Sequence, residues 1–310
     1  MRFAALSVIV LFVCLAAPGR ASAHSGAPTV ALDYRLKLSR AMPASVHAEV
    51  VDGDRALRVR VAPPHRLIVR GLLGEPVLRF GPDGVWANRA SATADADKIV
   101  RRGSGWVRMT TGHTFLWHDH RLAPPSGLRS GASAPWSFPV TLDGRPAALT
   151  GTFTRVARPT LWPWLAAALV AIVGLAALVR ATPGRRAETA AALAGVAAAG
   201  ALAASAAFAT GDAIAKHTQW IEVGSAALLA ALAAVALLLG DRSLRTWAAM
   251  VVGVVAAALG LGSLSVFWHG VVVSSLPANV ARLATLVAFL GGAAAVVIAV
   301  LTPTSRGARR

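Results

Sequence analysis

Cysteine is nearly absent from this chain, and charge is scarce. Cys14 is the only thiol in 310 residues. One cysteine cannot build an intramolecular disulfide framework. Charged residues make up 15% of the chain, against about 25% in ordinary soluble domains. Acidic residues are the rarer sign, 14 against 31 Lys and Arg, which leaves a formal charge of +17. Also missing are a Gly-x-Ser-x-Gly elbow, a P-loop and a His-Glu-x-x-His helix, so no named hydrolase, kinase or metalloprotease is indicated.

What is plentiful is apolar residue, 55% of the chain, with a mean hydropathy of +0.59. That content excludes a disordered polyelectrolyte. The apolar residues also fall in long blocks, unlike those of a soluble enzyme. A basic pI near 11.8 fits a nucleic-acid binder, but it fits equally a membrane protein with arginine-rich loops. The placement of the charges favours the second reading and no nucleic-acid partner.

The first 23 residues read as a secretory signal peptide. Arg2 opens a short basic start, residues 3–17 are apolar, Pro18-Gly19 breaks the run, and Ala21-Ser22-Ala23 supplies small residues for cleavage. The run is shorter than the roughly 20 residues a bilayer span needs. Cleavage there removes Cys14 and makes His24 the new N-terminus.

Residues 24–158 are polar and mixed, with 18 Lys and Arg against 10 Asp and Glu over 24–157. Short alternating runs at 30–38, 46–51, 56–61, 67–69, 77–80, 106–110, 114–117, 137–142 and 147–156 predict strands. Asp52-Gly53-Asp54 and Asp143-Gly144 are hairpin signals. No stretch carries a sustained helical period. The expectation is an exported antiparallel β-sandwich of the immunoglobulin-like kind.

From 159 to 302 the sequence predicts an all-α bundle of about five membrane spans, near 160–180, 187–209, 219–240, 246–268 and 279–301. Residues 303–310 form a tail. Gly195/Gly200, Gly253/Gly260 and Gly291/Gly292 are small residues that permit close helix approach. With the β-domain outside, the inner segments carry Arg180, Arg185, Arg186, Arg242, Arg245, Arg306, Arg309 and Arg310, and the outer loops only Lys216 and Arg282. Eight against two obeys the positive-inside rule and puts the C-terminus in the cytoplasm of a plasma-membrane protein. The span centres hold no Asp, Glu, Lys, Arg or His, which argues against a proton-coupled pump.

Histidine is the remaining metal-ligand type. The eight histidines all fall on or near the outer side, and imidazole binds copper and zinc where thiols are missing. On an extended chain, His118 and His120 of the Trp117-His118-Asp119-His120-Arg121 run share a face. Two such imidazoles chelate one ion, and His113 adds a third ligand if the chain turns. A free amine and imidazole at His24 would chelate Cu(II) together. The competing expectation is that one histidine packs under Trp117 while Asp119 and Arg121 pair at the surface. Glu75, Arg79 and Asn88 form either a polar site or, the preferred reading, a set of loop braces.

With the Gly-Glu-Pro-x-Leu-Arg-Phe run at 74–80, Asn88-Arg89 and the 117–121 run, the sequence resembles an uncharacterised group of bacterial membrane proteins. These join a signal peptide, an exported β-rich domain and several C-terminal spans. Val77 departs from the aromatic residue expected there. In architecture it is also similar to copper-resistance proteins that join a β-sandwich to a membrane module. That resemblance implies copper sites at His24 and the His118/His120 pair. The methionine-rich Cu(I) site of some such proteins has no counterpart, since 24–158 holds only Met42 and Met109.

Three functions stay open. The exported domain binds a metal ion, Cu(II) or Zn(II), through His118, His120, His24 and His113. Alternatively, the spans form a transporter or permease component. Alternatively, the β-domain is a scaffold that contacts another exported protein. Enzyme activity has the least support.

Overall fold

The computed structural model describes residues 30–39, 43–51, 56–212 and 217–302. The expected signal peptide at 1–23, His24 and residues 303–310 lie outside these residues. The chain forms two compact units, one over Leu32–Arg158 and one over the helices from Pro159 onward.

The first unit is β-rich; the short strand β1 (Ala31–Leu32) precedes its sheets. A seven-stranded antiparallel sheet has the order β2-β11-β10-β5-β6-β7-β8, formed by Tyr34–Leu38, Arg145–Arg155, Ser133–Leu142, Leu67–Arg70, Pro76–Gly81, Gly84–Asn88 and Trp106–Thr110. A three-stranded sheet pairs β3 (Val46–Val51), β4 (Ala56–Val61) and β9 (Thr114–His118). Alternation does the sorting. Along β10, Trp136, Phe138 and Val140 are buried while their odd-numbered neighbours face out. Leu57, Val59, Val61 and Trp117 from the small sheet join Leu67, Leu78, Phe80, Phe138 and Leu149 from the large one in a single core. The β10–β11 hairpin turns on Asp143 (φ 48°) and Gly144 (φ 80°), the left-handed pair that an Asp-Gly hairpin demands.

One short helix, α1 (Ala92–Ala96), interrupts the strands, although no helical period marks it. The Ser91 hydroxyl caps it by accepting the Ala94 N–H at 3.1 Å.

The register also fixes which ends of the large sheet coincide. Leu67 pairs with Leu142, Val69 with Val140, and Ser133 with Thr154. Val69 stands opposite Val140, so the turn after β5 leaves part-way along β10, well short of Ser133 and the end of β11. The β10–β11 hairpin lies at the opposite end.

The second unit holds five helices long and apolar enough to cross a membrane. They are α2 (Trp162–Ala181), α3 (Arg186–Gly211), α4 (His217–Leu239), α5 (Arg242–Gly262) and the pair α6 (Ala278–Leu286) and α7 (Gly292–Leu301). A π-turn over Val287–Gly291 joins the last two into one span. The fourth helix is displaced from the hydropathy block at 246–268. The Asp241 carboxylate caps it by accepting the Leu244 N–H at 2.7 Å, and Ser263 ends it. Residues Leu264–Phe267 form a separate 3-10 turn.

Alanine and glycine set the packing. Ala190, Ala194, Ala198, Ala249 and Ala295 are buried in one cluster. A Cβ on Gly253 would lie 2.7 Å from the Gly292 carbonyl, and one on Gly260 would lie 2.7 Å from the Phe289 nitrogen. Backbones meet there with no room for a side chain. The Arg186 guanidinium donates to the Leu301 carbonyl at 3.2 Å, and Arg245 pairs with Glu188 at 3.5 Å. These contacts bring the starts of α3 and α5 and the end of α7 to one end of the bundle. Arg282, 5% exposed, donates to the Val266 and His269 carbonyls and to Asn279, staking the 264–267 turn onto α6.

Candidate metal centre

Strand β9 delivers the Trp117–Arg121 run to the core edge. Trp117 pairs with Leu57 and points inward, 3% exposed; His118 pairs with Ala56 and ends the strand. The chain then turns, with the Leu122 N–H donating to the Asp119 carbonyl at 2.9 Å. So His118 and His120 are not two steps of one extended strand. What turns the chain is Asp119, which is 4% exposed.

Asp119 is heavily bonded. Its Oδ1 accepts the Arg121 backbone N–H at 3.0 Å and Nε at 2.8 Å. Its Oδ2 accepts an Arg121 terminal amine at 2.6 Å and the Trp117 indole N–H at 3.2 Å. The Asp119–Arg121 ion pair expected at the surface is therefore buried. Arg121 also donates to the Arg70 carbonyl at 2.7 Å and stacks its guanidinium 4.1 Å from the Phe138 ring centroid.

Across from this turn sits Asp97, the residue that ends α1. Its side chain is 2% exposed. Oδ1 accepts the His120 backbone N–H at 2.9 Å and faces His120 Nδ1 at 2.5 Å. Oδ2 is buried and has no hydrogen-bond partner among the described residues. A buried carboxylate oxygen without a donor is costly, on the order of 1–3 kcal/mol. Burial and the nearby Asp119 charge push the Asp97 pKa up, against the opposing contacts from His120.

Asp97, Asp119 and His120 place ligand-type atoms within 4.8 Å of one another. Among the described residues this is the group that does so. The Asp97 carboxylate faces His120 Nδ1, so an ion shared by the two residues would take the Nδ1 lone pair in place of a proton. Two carboxylates and an imidazole form a hard-to-borderline donor set that suits Zn(II) or Cu(II). Asp97 and His120 are the available pair, since coordination by Asp119 requires Arg121 to yield.

The other predicted ligands are dispersed. His113 precedes β9, with Nδ1 3.2 Å from the Gly81 carbonyl. Five extended residues separate it from His118, roughly 16 Å. His118 is half-buried at the strand end and lies outside the three-residue group. His24 lies outside the described residues.

The 74–89 run braces loops. Glu75 Oε1 accepts from the Ser91 hydroxyl at 3.0 Å, the Thr93 hydroxyl at 2.7 Å and the Thr93 N–H at 3.2 Å; Oε2 accepts the Leu73 N–H at 3.0 Å. Partial burial works to raise its pKa, but these donors prevail and hold it at about 2. Asn88 donates to the Pro76 carbonyl at 2.8 Å. Arg79 lies 5.2 Å from the ring centroids of both Trp86 and Trp106.

Asp97 is the residue that sequence reasoning did not single out. It stands 23 positions from His120, and its one local signal is the Ser91 cap that starts the short helix. Comparison with known protein families, with characterised proteins and with solved structures finds no match to this chain.

Proposed function

We propose that this is a multi-pass plasma-membrane protein whose exported, immunoglobulin-like β-domain binds a divalent ion, Cu(II) or Zn(II), in envelope metal homeostasis. Asp97 and His120 are the ligands, with Asp119 beside them and water completing the coordination. The observation that carries this is the Asp97 carboxylate: one oxygen faces His120 Nδ1, and the other is buried with no donor among the described residues. A cation satisfies such an oxygen where no N–H is supplied.

The membrane reading is supported by the five apolar helices and by the arginine-bearing starts of α3 and α5 at one end of the bundle. That end is the cytoplasmic side by the positive-inside rule, and the β-domain is then outside. Two antiparallel sheets sharing one core support the sandwich.

Calorimetric titration of the detergent-solubilised full chain with Zn(II) and Cu(II) tests the site. Binding that is lost in Asp97→Ala and His120→Ala and kept in His113→Ala is expected. Equal binding by all of these proteins would refute it.

A further inference from the structure

Alternation in the seven-stranded sheet gives one face to the core and turns the other outward. On the outward face one row crosses five strands through Thr141, Ile68, Arg79, Trp86 and Arg108. Trp106 stands two positions before Arg108 on the same strand and face. Guanidinium and indole alternate there. Arg79 lies 5.2 Å from the ring centroids of Trp86 and Trp106, and Arg108 lies 5.7 Å from that of Trp86. Both arginines remain open to solvent, and their one ion pair among the described residues is Arg79–Asp83, at 4.0 Å. Stacking on indole orients the guanidinium planes and leaves their N–H edges free for a ligand.

The same face carries a shallow groove of about 720 Å³ nearer the β2 edge. Lys37, Ser137, Thr150 and Thr152 line it on either side of the Gly151–Trp136 pair. Register sets Lys37 beside Thr152 and Ser137 beside Thr150. Ser137 and Thr141 are four residues apart on β10, about 13 Å, so groove and ladder share one continuous surface. We infer that this surface binds an acidic polysaccharide. Its carboxylates pair with Arg79 and Arg108, and its hydroxyls with Ser137, Thr150 and Thr152. The site is separate from the metal centre, and only the place where it meets the glycan rests on the exported reading.

Three observations choose this ligand. First, the charge is positive. Residues 70–110 hold seven Lys and Arg against four Asp and Glu, of which Glu75 is bonded within its loop and Asp97 is buried. Such a surface draws anions, and the guanidinium fork fits a carboxylate with two parallel hydrogen bonds. Second, the face lacks the apolar centre of a protein interface. Among the described residues the exposed large apolar side chains of this unit are Leu72, Leu73 and Val107. The first two sit in a turn, and Val107 shares the core face with Ala87. Third, a nucleic acid stacks its bases on open aromatic faces, whereas Trp86 is flanked by Arg79 and Arg108. Serine and threonine hydroxyls both donate and accept, as sugar hydroxyls do.

The test titrates the detergent-solubilised full chain, in EDTA, with an oligogalacturonate and reads binding by calorimetry. Binding is expected, weakened about tenfold in Arg79→Gln and in Arg108→Gln. The Thr150→Val, Thr152→Val double variant should weaken it about threefold. A neutral malto-oligosaccharide and an oligoglutamate of equal charge should each bind about tenfold more weakly than the uronate, or worse. Oligoglutamate or oligothymidylate binding as tightly as the uronate overturns the glycan in favour of a peptide or a nucleic acid. Equal binding of the neutral sugar overturns the pairing with arginine, as does unchanged binding in both arginine variants. Absence of uronate binding at about 1 mM overturns the site as a whole. Because Arg79→Gln opens the ladder, Arg108→Lys is the further variant. It keeps the charge and loses the fork, and it should still weaken binding. Asp97→Ala should bind the uronate as the wild type does, so failure of the metal centre and failure of the glycan face are read apart.

Discussion

Asp97 and His120 are joined twice through a single oxygen, since Asp97 Oδ1 meets both the backbone N–H and ring Nδ1 of His120. One carboxylate oxygen is thereby saturated while its twin is left bare in the interior. The fold favours the neutral form of Asp97, whose pKa is raised first by burial and then by the Asp119 charge. A raised carboxyl contributes stability that is full below the unfolded value, 3.8, and fades as pH climbs through the folded value. Above 3.8 this contribution shrinks, so at neutral pH the carboxyl costs the metal-free protein stability that a neutral amide there would not. Asp97→Asn should raise the melting temperature of the metal-free full chain at pH 7, and this gain should shrink below pH 4. The same variant should lose Zn(II)-induced stabilisation. A melting temperature unchanged by Asn at pH 7 would exclude this cost.

Glu75 has the opposite sign. Its pKa is lowered from 4.5 to about 2, so its contribution is present above 4.5 and is lost as pH falls from there toward 2. Glu75→Gln should cost about 1–2 kcal/mol at pH 7. Denaturant titrations at pH 7, 4 and 2.5 should show wild type and variant converging on the acid side.

Gly71 protects the same brace. Gly71→Ala forces a methyl to within 2.4 Å of Glu75 Oε1 and Thr93 Oγ1, so the carboxylate must leave its donors. A loss of about 2 kcal/mol is expected, and it should not add to that of Glu75→Gln in the double variant. Additive losses would mean that the methyl strains something other than the brace.

In the helical unit, glycines of equal sequence appearance should differ sharply. Gly260→Val would drive side-chain carbon into the Phe289 backbone, whereas a Cβ on Gly174 meets nothing within 4 Å. Gly260→Val should cost at least about 1–3 kcal/mol, read as a lower melting temperature in detergent. Gly174→Ala should be neutral or slightly stabilising, because alanine is the better helix former.

Much of the architecture is legible in sequence because it depends on local periodicity. Residues 133–142 alternate, Asp143-Gly144 turns, and residues 145–155 alternate back. The apolar blocks likewise announce helices, although Asp241 as a cap overrides hydropathy and starts the fourth helix early. The site is less legible. His120 is visible as a ligand type, but its partner Asp97 is brought to it by packing of α1 against strands remote in sequence. The expected His118/His120 geometry assumed a chain extended past the strand. The buried hydrogen bonds of Asp119 bend it there, and no spacing rule carries that information.

The π-turn at Val287–Gly291 has a mechanical consequence for the last span. One residue of surplus rotates everything after it by about 100° relative to an uninterrupted α-helix. At the end of the turn, neighbouring glycines face two different helices. A Cβ on Gly291 would meet Ala197 of α3 at 3.3 Å, while one on Gly292 would meet the Gly253 carbonyl of α5 at 2.5 Å. Deleting one residue from the turn would restore a continuous helix and swing the following Gly292–Leu301 segment out of its groove, so the surplus residue acts as a phase-setter for the bundle.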